Sequence, residues 1–234
     1  MAKKPSTRKE FLEVTYSEER WTQFAALRRK TAELMEVLVS SNFSPITYGS
    51  IARGDITKTS DIDVFIPEPA SSVSVEMALE RADAKPRRRI LVQATPSYAL
   101  KACFEIEDLV SVSIPLVKLK RTEREFYKFA GEIALEQIRL EKRVPGVDKR
   151  LMLIEPTADG HVETSIIGRE SYVSELLGVG SQIVNERVRV LMKRDKVGRT
   201  GIFLERDLSS DETFESVVRE IARTSPALRR RLES

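Results

Sequence analysis

The stretch from Tyr48 to Ile66, YGSIARGDITKTSDIDVFI, constrains the fold more than any other part of the sequence. A predicted strand leads into Gly49 and Ser50, a connection follows, and Asp61 and Asp63 open a second strand that ends before a proline. Residues at positions i and i+2 of a strand point to the same face. We therefore expect the two carboxylates to project together, while the alternating residues face a core.

This arrangement of residue types suits a metal ion and a phosphate. Two neighbouring carboxylates repel each other, and a hard cation such as Mg²⁺ relieves that repulsion when it lies between Asp61 and Asp63. At a strand-to-helix turn, Gly49 lets the backbone approach a phosphate, to which backbone N–H groups and the hydroxyl of Ser50 can donate. Arg53 adds a cation in the short helix that we expect to follow.

The periodicity of apolar residues predicts an α+β protein with two domains. Residues 1–119 contain a long amphipathic helix and most of the strands, and the period changes from 2 to 3.6 near residue 120. Residues 120–234 then form a smaller α+β domain for substrate or partner binding. The predicted elements are helices at 17–39, 73–82, 120–142, near 171–177, near 181–192 and from 209, strands at 61–66, 89–94 and 201–207, and hairpins turning near 107–108 and 157–160.

The segment GSIARGDITKTSDID resembles the signature of the DNA polymerase β-like nucleotidyltransferase superfamily, over roughly residues 20–119. The resemblance implies a small mixed sheet backed by helices, two Mg²⁺ (or Mn²⁺) ions, and transfer of a nucleoside monophosphate from a nucleoside triphosphate such as ATP. By the roles known for the superfamily, Gly49 and Ser50 would bind the β and γ phosphates, and Asp61 and Asp63 would bind metal. Archaeal tRNA CCA-adding enzymes look most similar.

The third carboxylate of that superfamily is absent from the expected place. It comes from a later strand, which the segment VSVSIPLVKLK at 110–120 resembles. The best alignment places Val112 there, and a shift of one residue places Ser111 or Ser113. The nearest acids that could substitute lie at the predicted hairpin turn and are Glu105, Glu107 and Asp108. Of these, we take Glu107 as the third candidate catalytic residue.

Basic residues provide further candidates for binding. Lys101 alternates with Cys103 and Glu105, and we expect it to face the cleft and contact a phosphate. A cluster near the domain junction (Lys118, Lys120, Arg121 and Arg124), together with clusters at residues 3–9, 85–89 and 229–231, favours RNA or tRNA as a partner, although most such clusters are solvated surface.

Three functions fit the motif. The first is an enzyme that transfers a nucleoside monophosphate, with RNA 3′ ends favoured over proteins or small molecules as acceptor. The second is a nucleotide- or RNA-binding module that has lost catalysis, because the third carboxylate is missing. The third is a toxin–antitoxin partner that adenylylates proteins, which the length of 234 residues disfavours.

Composition and charge bear on the partners and the cellular location of the protein. The net charge is only +3, so the whole chain does not require a nucleic-acid partner. The single cysteine, Cys103, precludes an internal disulfide and favours a cytoplasmic location. We expect no signal peptide and no membrane partner, since no run reaches the roughly 20 apolar residues of a membrane span. The single histidine, His161, is expected in a turn with no functional role.

Overall fold

The structure is a computed structural model that describes residues 11–198 and 201–232. The strands are β1 (Phe11–Thr15), β2 (Ile46–Tyr48), β3 (Ile62–Phe65), β4 (Arg88–Gln93), β5 (Lys101–Glu107), β6 (Val110–Pro115), β7 (Glu132–Ala134), β8 (Gly146–Val147), β9 (Met152–Thr157), β10 (Gly160–Ser165) and β11 (Leu204–Asp207). The helices are α1 (Glu18–Ser40), α2 (Ser50–Arg53), α3 (Ser72–Arg81), α4 (Arg121–Phe129), α5 (Leu135–Arg139), α6 (Glu170–Leu177), α7 (Ser181–Val197), α8 (Phe214–Thr224) and α9 (Pro226–Leu232).

The chain forms two compact units, and neither is continuous in sequence. Among the described residues, unit 1 comprises 11–32, 47–60 and 124–198, and unit 2 comprises 33–46, 61–123 and 201–232. One passage between the units lies at residues 123–124, close to the domain boundary that the sequence predicts at 119–120. The two-domain division at that boundary stays a prediction.

Unit 2 contains a mixed sheet with the strand order β11-β4-β5-β6-β3. The pair β3–β6 is parallel, and the other neighbours are antiparallel. One side chain in two along β5 and β6 is buried, so the sheet has a core face and a more accessible face. On the core face the ring of Phe104 packs against that of Phe214 from α8, with centroids 5.3 Å apart.

Unit 1 contains an antiparallel sheet with the strand order β1-β10-β9-β8. Its core also includes the apolar faces of α6 and α7, which pack against each other. The buried residues of this core are Phe129, Val147, Leu151, Leu153, Ile166, Val173, Val179, Ile183, Val184 and Leu191.

A buried polar network, which the sequence did not predict, crosses this sheet. His161 lies in strand β10 rather than in a turn, and only 1% of it is exposed. Its Nδ1 atom lies 2.6 Å from the hydroxyl of Tyr16, and its Nε2 atom lies 3.1 Å from Glu163. Glu163 in turn accepts a hydrogen bond of 2.5 Å from Arg150. The expected turn position of His161 is wrong because the turn comprises only Ala158 and Asp159, and β10 already begins at Gly160, which pairs with Thr157.

Most predicted elements are confirmed, including both hairpins and the long helix α1. The single helix predicted for 120–142 is wrong, because the chain forms α4, β7 and α5 there. Gly131 has φ of +79°, and a Cβ atom would lie 3.0 Å from the carbonyl oxygen of Pro145, so the helix ends before it. Leu140, whose spacing would continue the buried face of a single helix over 120–142, is 64% exposed.

Within the part of the chain that the structure describes, no helix is long and apolar enough to cross a membrane.

Candidate active site

Asp61 and Asp63 lie where strand alternation predicts. Asp61 directly precedes β3 and is exposed, and Asp63 lies within the strand and is half-buried. The alternating residues Ile62 and Val64 are 1% and 0% exposed. Both carboxylates are therefore on the accessible face of the sheet, because their neighbours are anchored in the core.

The residue beside Asp63 on the adjacent strand is Ser111. The parallel register pairs Asp63 with Ser111, and the antiparallel register pairs Ser111 with Glu105. The Ser111 hydroxyl donates a hydrogen bond of 2.9 Å to Oδ1 of Asp63. Val112, which the best sequence alignment placed at the missing carboxylate, is instead buried in register with Val64.

These residues line a pocket of about 500 Å³ in unit 2. It contains acidic and basic side chains together, because the start of β4, the β5–β6 turn and the start of β3 all lie at the same end of the sheet. The lining residues are Asp61, Asp63, Arg87, Arg88, Cys103, Glu105, Glu107, Asp108, Leu109, Val110 and Ser111.

The acids near the turn differ in their surroundings. Glu105 accepts a hydrogen bond of 3.0 Å from Arg88, which also contacts Asp207 of β11 at 2.9 Å. A register shift separates Glu105 from Glu107, which pairs with Val110 at the end of the hairpin. In residues 11–198 and 201–232, no group of three or more His, Cys, Asp or Glu side chains has a geometry that could hold a metal ion. The catalytic role of Glu107 stays a prediction.

Lys101 and Cys103 share the accessible face with Asp63. Burial lowers the pKa of Lys101, and the carboxylates of Glu123 and Asp63 act in the opposite direction. Burial also raises the pKa of Cys103 to about 11, with Asp63 and Glu105 adding to the effect. The Asp63 carboxylate acts electrostatically on both groups, so the Lys101 ammonium group lies near Asp63 on this face.

The Gly49-Ser50 turn belongs to unit 1. Gly49 has φ of +77° and ψ of −142°, and no atom beyond the adjoining backbone lies within 4 Å of the place where a Cβ would stand. Its N–H donates to the carbonyl of Gly131 at 2.9 Å. The Ser50 hydroxyl donates to Ser60 at 3.2 Å, and Ser60 accepts from the backbone N–H of Thr57 at 2.9 Å. The turn is thus held by the backbone, with open space beside Gly49.

Arg53, the third candidate in this segment, is 5% exposed and is bound inside unit 1. Two of its nitrogens contact the Asp55 carboxylate at 3.0 Å each, and a third donates to the carbonyl of Ala130 at 2.5 Å. This geometry favours a structural role for the side chain. Contact between Arg53 and a nucleotide stays a prediction.

Arg28 was not predicted as a site residue. It is 6% exposed and donates to the carbonyl oxygens of Ile51 and Ala52 in α2, at 3.1 and 3.2 Å. The sequence contains one signal that Arg28 is buried. It lies four residues after Phe24, at a position where an apolar residue would continue the buried face of α1. Arg28 thus connects α1 to the helix that follows Gly49-Ser50.

The basic clusters are only partly available to a partner. Arg88 and Arg89 are ion-paired within unit 2, Arg89 with Glu76 at 3.3 Å. Arg231 of the last cluster contacts Glu123 at 2.7 Å. The cluster at residues 3–9 lies outside the described residues.

Comparison with known proteins identifies the family. The model of the nucleotidyltransferase domain family matches residues 29–145, half of the chain, and this region contains the candidate catalytic, metal-binding and nucleotide-binding residues. The chain therefore belongs to the nucleotidyltransferase domain family, and its mixed α+β architecture is consistent with a polymerase β-like nucleotidyltransferase fold. Neither the search of curated proteins nor that of solved structures gave a significant match.

Proposed function

We propose that the protein binds a nucleoside triphosphate as its Mg²⁺ complex and transfers the nucleoside monophosphate to an acceptor hydroxyl, releasing pyrophosphate. The observation that carries the proposal is the placement of Asp61 and Asp63 in one pocket, within a region that matches the nucleotidyltransferase domain family. Mg²⁺ in such sites is held by one or two carboxylates together with substrate phosphates. Two aspartates on one face are a donor set that fits Mg²⁺ or Mn²⁺.

The proposed roles are those that the resemblance to the superfamily implies. Asp61 and Asp63 would hold the metal, and Gly49-Ser50 would bind the β and γ phosphates. Gly49, whose own N–H is bound to Gly131, would leave room for the phosphates, and the Ser50 hydroxyl would donate to them. A bound divalent ion would lower the pKa of the attacking hydroxyl and stabilise the leaving oxygen. In a two-metal mechanism a third acid is needed, and Glu107 is our candidate.

Two cations complete the proposed site. Lys101 would neutralise charge on the phosphates from the accessible face of unit 2. Arg53 is the second cation that we propose for nucleotide binding, and its effect would be indirect because its guanidinium is bound to Asp55.

We favour an RNA 3′ end as the acceptor, as in the archaeal tRNA CCA-adding enzymes that the sequence resembles, and a cytoplasmic location. Arg87 supports this choice. It lines the pocket, its side chain is 64% exposed, and its ion pair with the exposed Asp108 spans 3.8 Å. An ion pair of this kind contributes little free energy, so a phosphodiester can displace it.

A second candidate is a nucleotide- or RNA-binding module that has lost catalysis. It is supported by the serine, rather than an acid, that stands beside Asp63, and by the lack of a three-acid metal group in the described part of the chain.

The proposal is tested by incubating the protein with each α-labelled nucleoside triphosphate, Mg²⁺ or Mn²⁺, and a pool of total RNA. We expect label on RNA with the wild-type chain and with Asp195→Ala, which removes an exposed acid of α7. Asp61→Ala and Asp63→Ala should abolish labelling. Transfer that persists in both aspartate variants would refute the assignment of the site.

The variant Ser111→Asp distinguishes the two candidate functions, the enzyme and the binding module. It places a carboxylate beside Asp63, whereas the matched variant Ser113→Asp places one beside Phe65. If the chain is a binding module, metal-dependent nucleotide binding occurs without transfer, and Ser111→Asp alone gains transfer. If the chain is an enzyme that uses Glu107, the wild type transfers and Glu107→Gln loses activity.

A further inference from the structure

The Ser111 hydroxyl is a polar group that lies against Asp63 from the neighbouring strand. Their strands are parallel partners in direct register, and the O–H···O distance of 2.9 Å joins Ser111 Oγ to Asp63 Oδ1. Both backbones are fixed by buried neighbours on either side, Ile62 and Val64 on β3 and Val110 and Val112 on β6. The hydrogen bond therefore connects two side chains whose Cβ positions cannot shift far.

The chemistry of the two groups fixes the direction of this hydrogen bond. A hydroxyl has one proton to donate and two lone pairs that accept, whereas a carboxylate only accepts. The Ser111 hydroxyl therefore donates its proton to Asp63.

We propose that Ser111 is a positioning residue for the metal site: its hydroxyl sets the orientation of the Asp63 carboxylate toward a divalent cation. The proposal rests on the proposed function, in which Asp63 is a metal ligand. Partners that hydrogen-bond to a metal ligand orient it, and their removal commonly costs roughly 10- to 100-fold in metal affinity. A serine provides this orientation without the repulsion that a second acid beside Asp63 would bring.

The chain contains a matched control. Ser113 lies two residues along β6 on the same face and is half-buried like Ser111, but it stands beside Phe65 and Cys103 instead of an acid. Ser113→Ala therefore removes the same atoms from the same strand without touching Asp63. Ser111→Thr keeps the hydroxyl and suits a strand, so it should restore what Ser111→Ala loses.

The test measures Mn²⁺ binding to the full chain by electron paramagnetic resonance, first with Mn²⁺ alone and then with a non-hydrolysable nucleoside triphosphate. We expect Ser111→Ala to bind Mn²⁺ about tenfold more weakly than the wild type, and Ser111→Thr and Ser113→Ala to bind like the wild type. Thermal unfolding of each variant shows whether the fold is retained.

Three outcomes overturn the inference. Wild-type affinity in folded Ser111→Ala refutes positioning but leaves the proposed function intact. An equal loss in Ser113→Ala shows a general effect on β6. A wild-type chain that binds neither Mn²⁺ nor its nucleotide complex refutes the proposed function itself, and positioning with it.

Discussion

At the scale of single residues, Gly49 carries the conformation on which the proposed phosphate site depends. Its φ of +77° and ψ of −142° are rarely adopted by any other residue, and the space beside it is open. Gly49→Ala should therefore lower the free energy of unfolding by about 1–3 kcal/mol through backbone strain alone, and should weaken nucleotide binding.

The control for this prediction is Gly168→Ala, at a glycine that also has positive φ, +76°, and open space beside it. Urea unfolding and calorimetric titration with a nucleoside triphosphate check both variants. Equal losses of nucleotide affinity in the two would contradict a specific role for Gly49.

Glu163 predicts a pH dependence of stability. Burial favours the neutral form, but hydrogen bonds from His161 and Arg150 outweigh it and lower the pKa of Glu163 from 4.5 to about 2. A carboxyl whose pKa is lower in the folded state stabilises the fold above its unfolded pKa and loses that effect as the pH falls through its folded pKa. The shift corresponds to about 3 kcal/mol at neutral pH.

Glu163→Gln should thus be less stable than the wild type at pH 7, and the difference should shrink between pH 5 and pH 2, approximately the interval that the two pKa values define. Urea unfolding at several pH values measures it, with Glu13→Gln, an exposed acid of β1, as control. A difference that does not change with pH would exclude this carboxyl as its source.

At the scale of secondary-structure elements, α2 depends on an arginine from α1. A four-residue helix cannot satisfy its own carbonyls, and Arg28 donates to those of Ile51 and Ala52. Arg28→Ala leaves these buried groups without that donor and should cost about 1.5–3 kcal/mol. Arg28→Lys should restore only part of the stability that Arg28→Ala loses, because an ammonium group lacks the planar fork of a guanidinium.

Arg29→Ala is the control, since Arg29 is the next residue of α1 and is exposed. Hydrogen exchange at the amides of residues 51–54 measures the order of α2 directly. If exchange there is the same in Arg28→Ala and Arg29→Ala, the contact does not hold the helix.

The sequence predicted elements well where one chemical pattern determined them. Alternation identified the hairpin of β5 and β6 and the shared face of Asp61 and Asp63. It could not identify Ser111 as the neighbour of Asp63, because a register between strands is set by the packing of both strands. The sequence also did not show that α4 ends at Phe129, because the apolar spacing continues through Gly131, a glycine that the close approach of Pro145 requires.

At the scale of the whole molecule, unit 2 joins segments that are far apart in sequence. Strand β11 pairs with β4, and α8 packs Phe214 on Phe104. Local patterns predicted the strand and the helix but not their partners, because pairing over more than 100 residues is not encoded in any local period. The sequence therefore suggested a boundary near residue 120, with residues 201–232 on its far side.

The final prediction tests that boundary. Phe214 is fully buried, so Phe214→Ala should cost about 3–5 kcal/mol. Because its ring lies against Phe104 of β5, hydrogen-exchange protection should fall in β4, β5 and β6 as well as in α8. Phe203→Ala, at a residue that is 60% exposed, should change the stability and the hydrogen-exchange protection little. A loss of protection confined to residues 201–232 would instead mean that these residues fold separately and that the boundary near residue 120 is real.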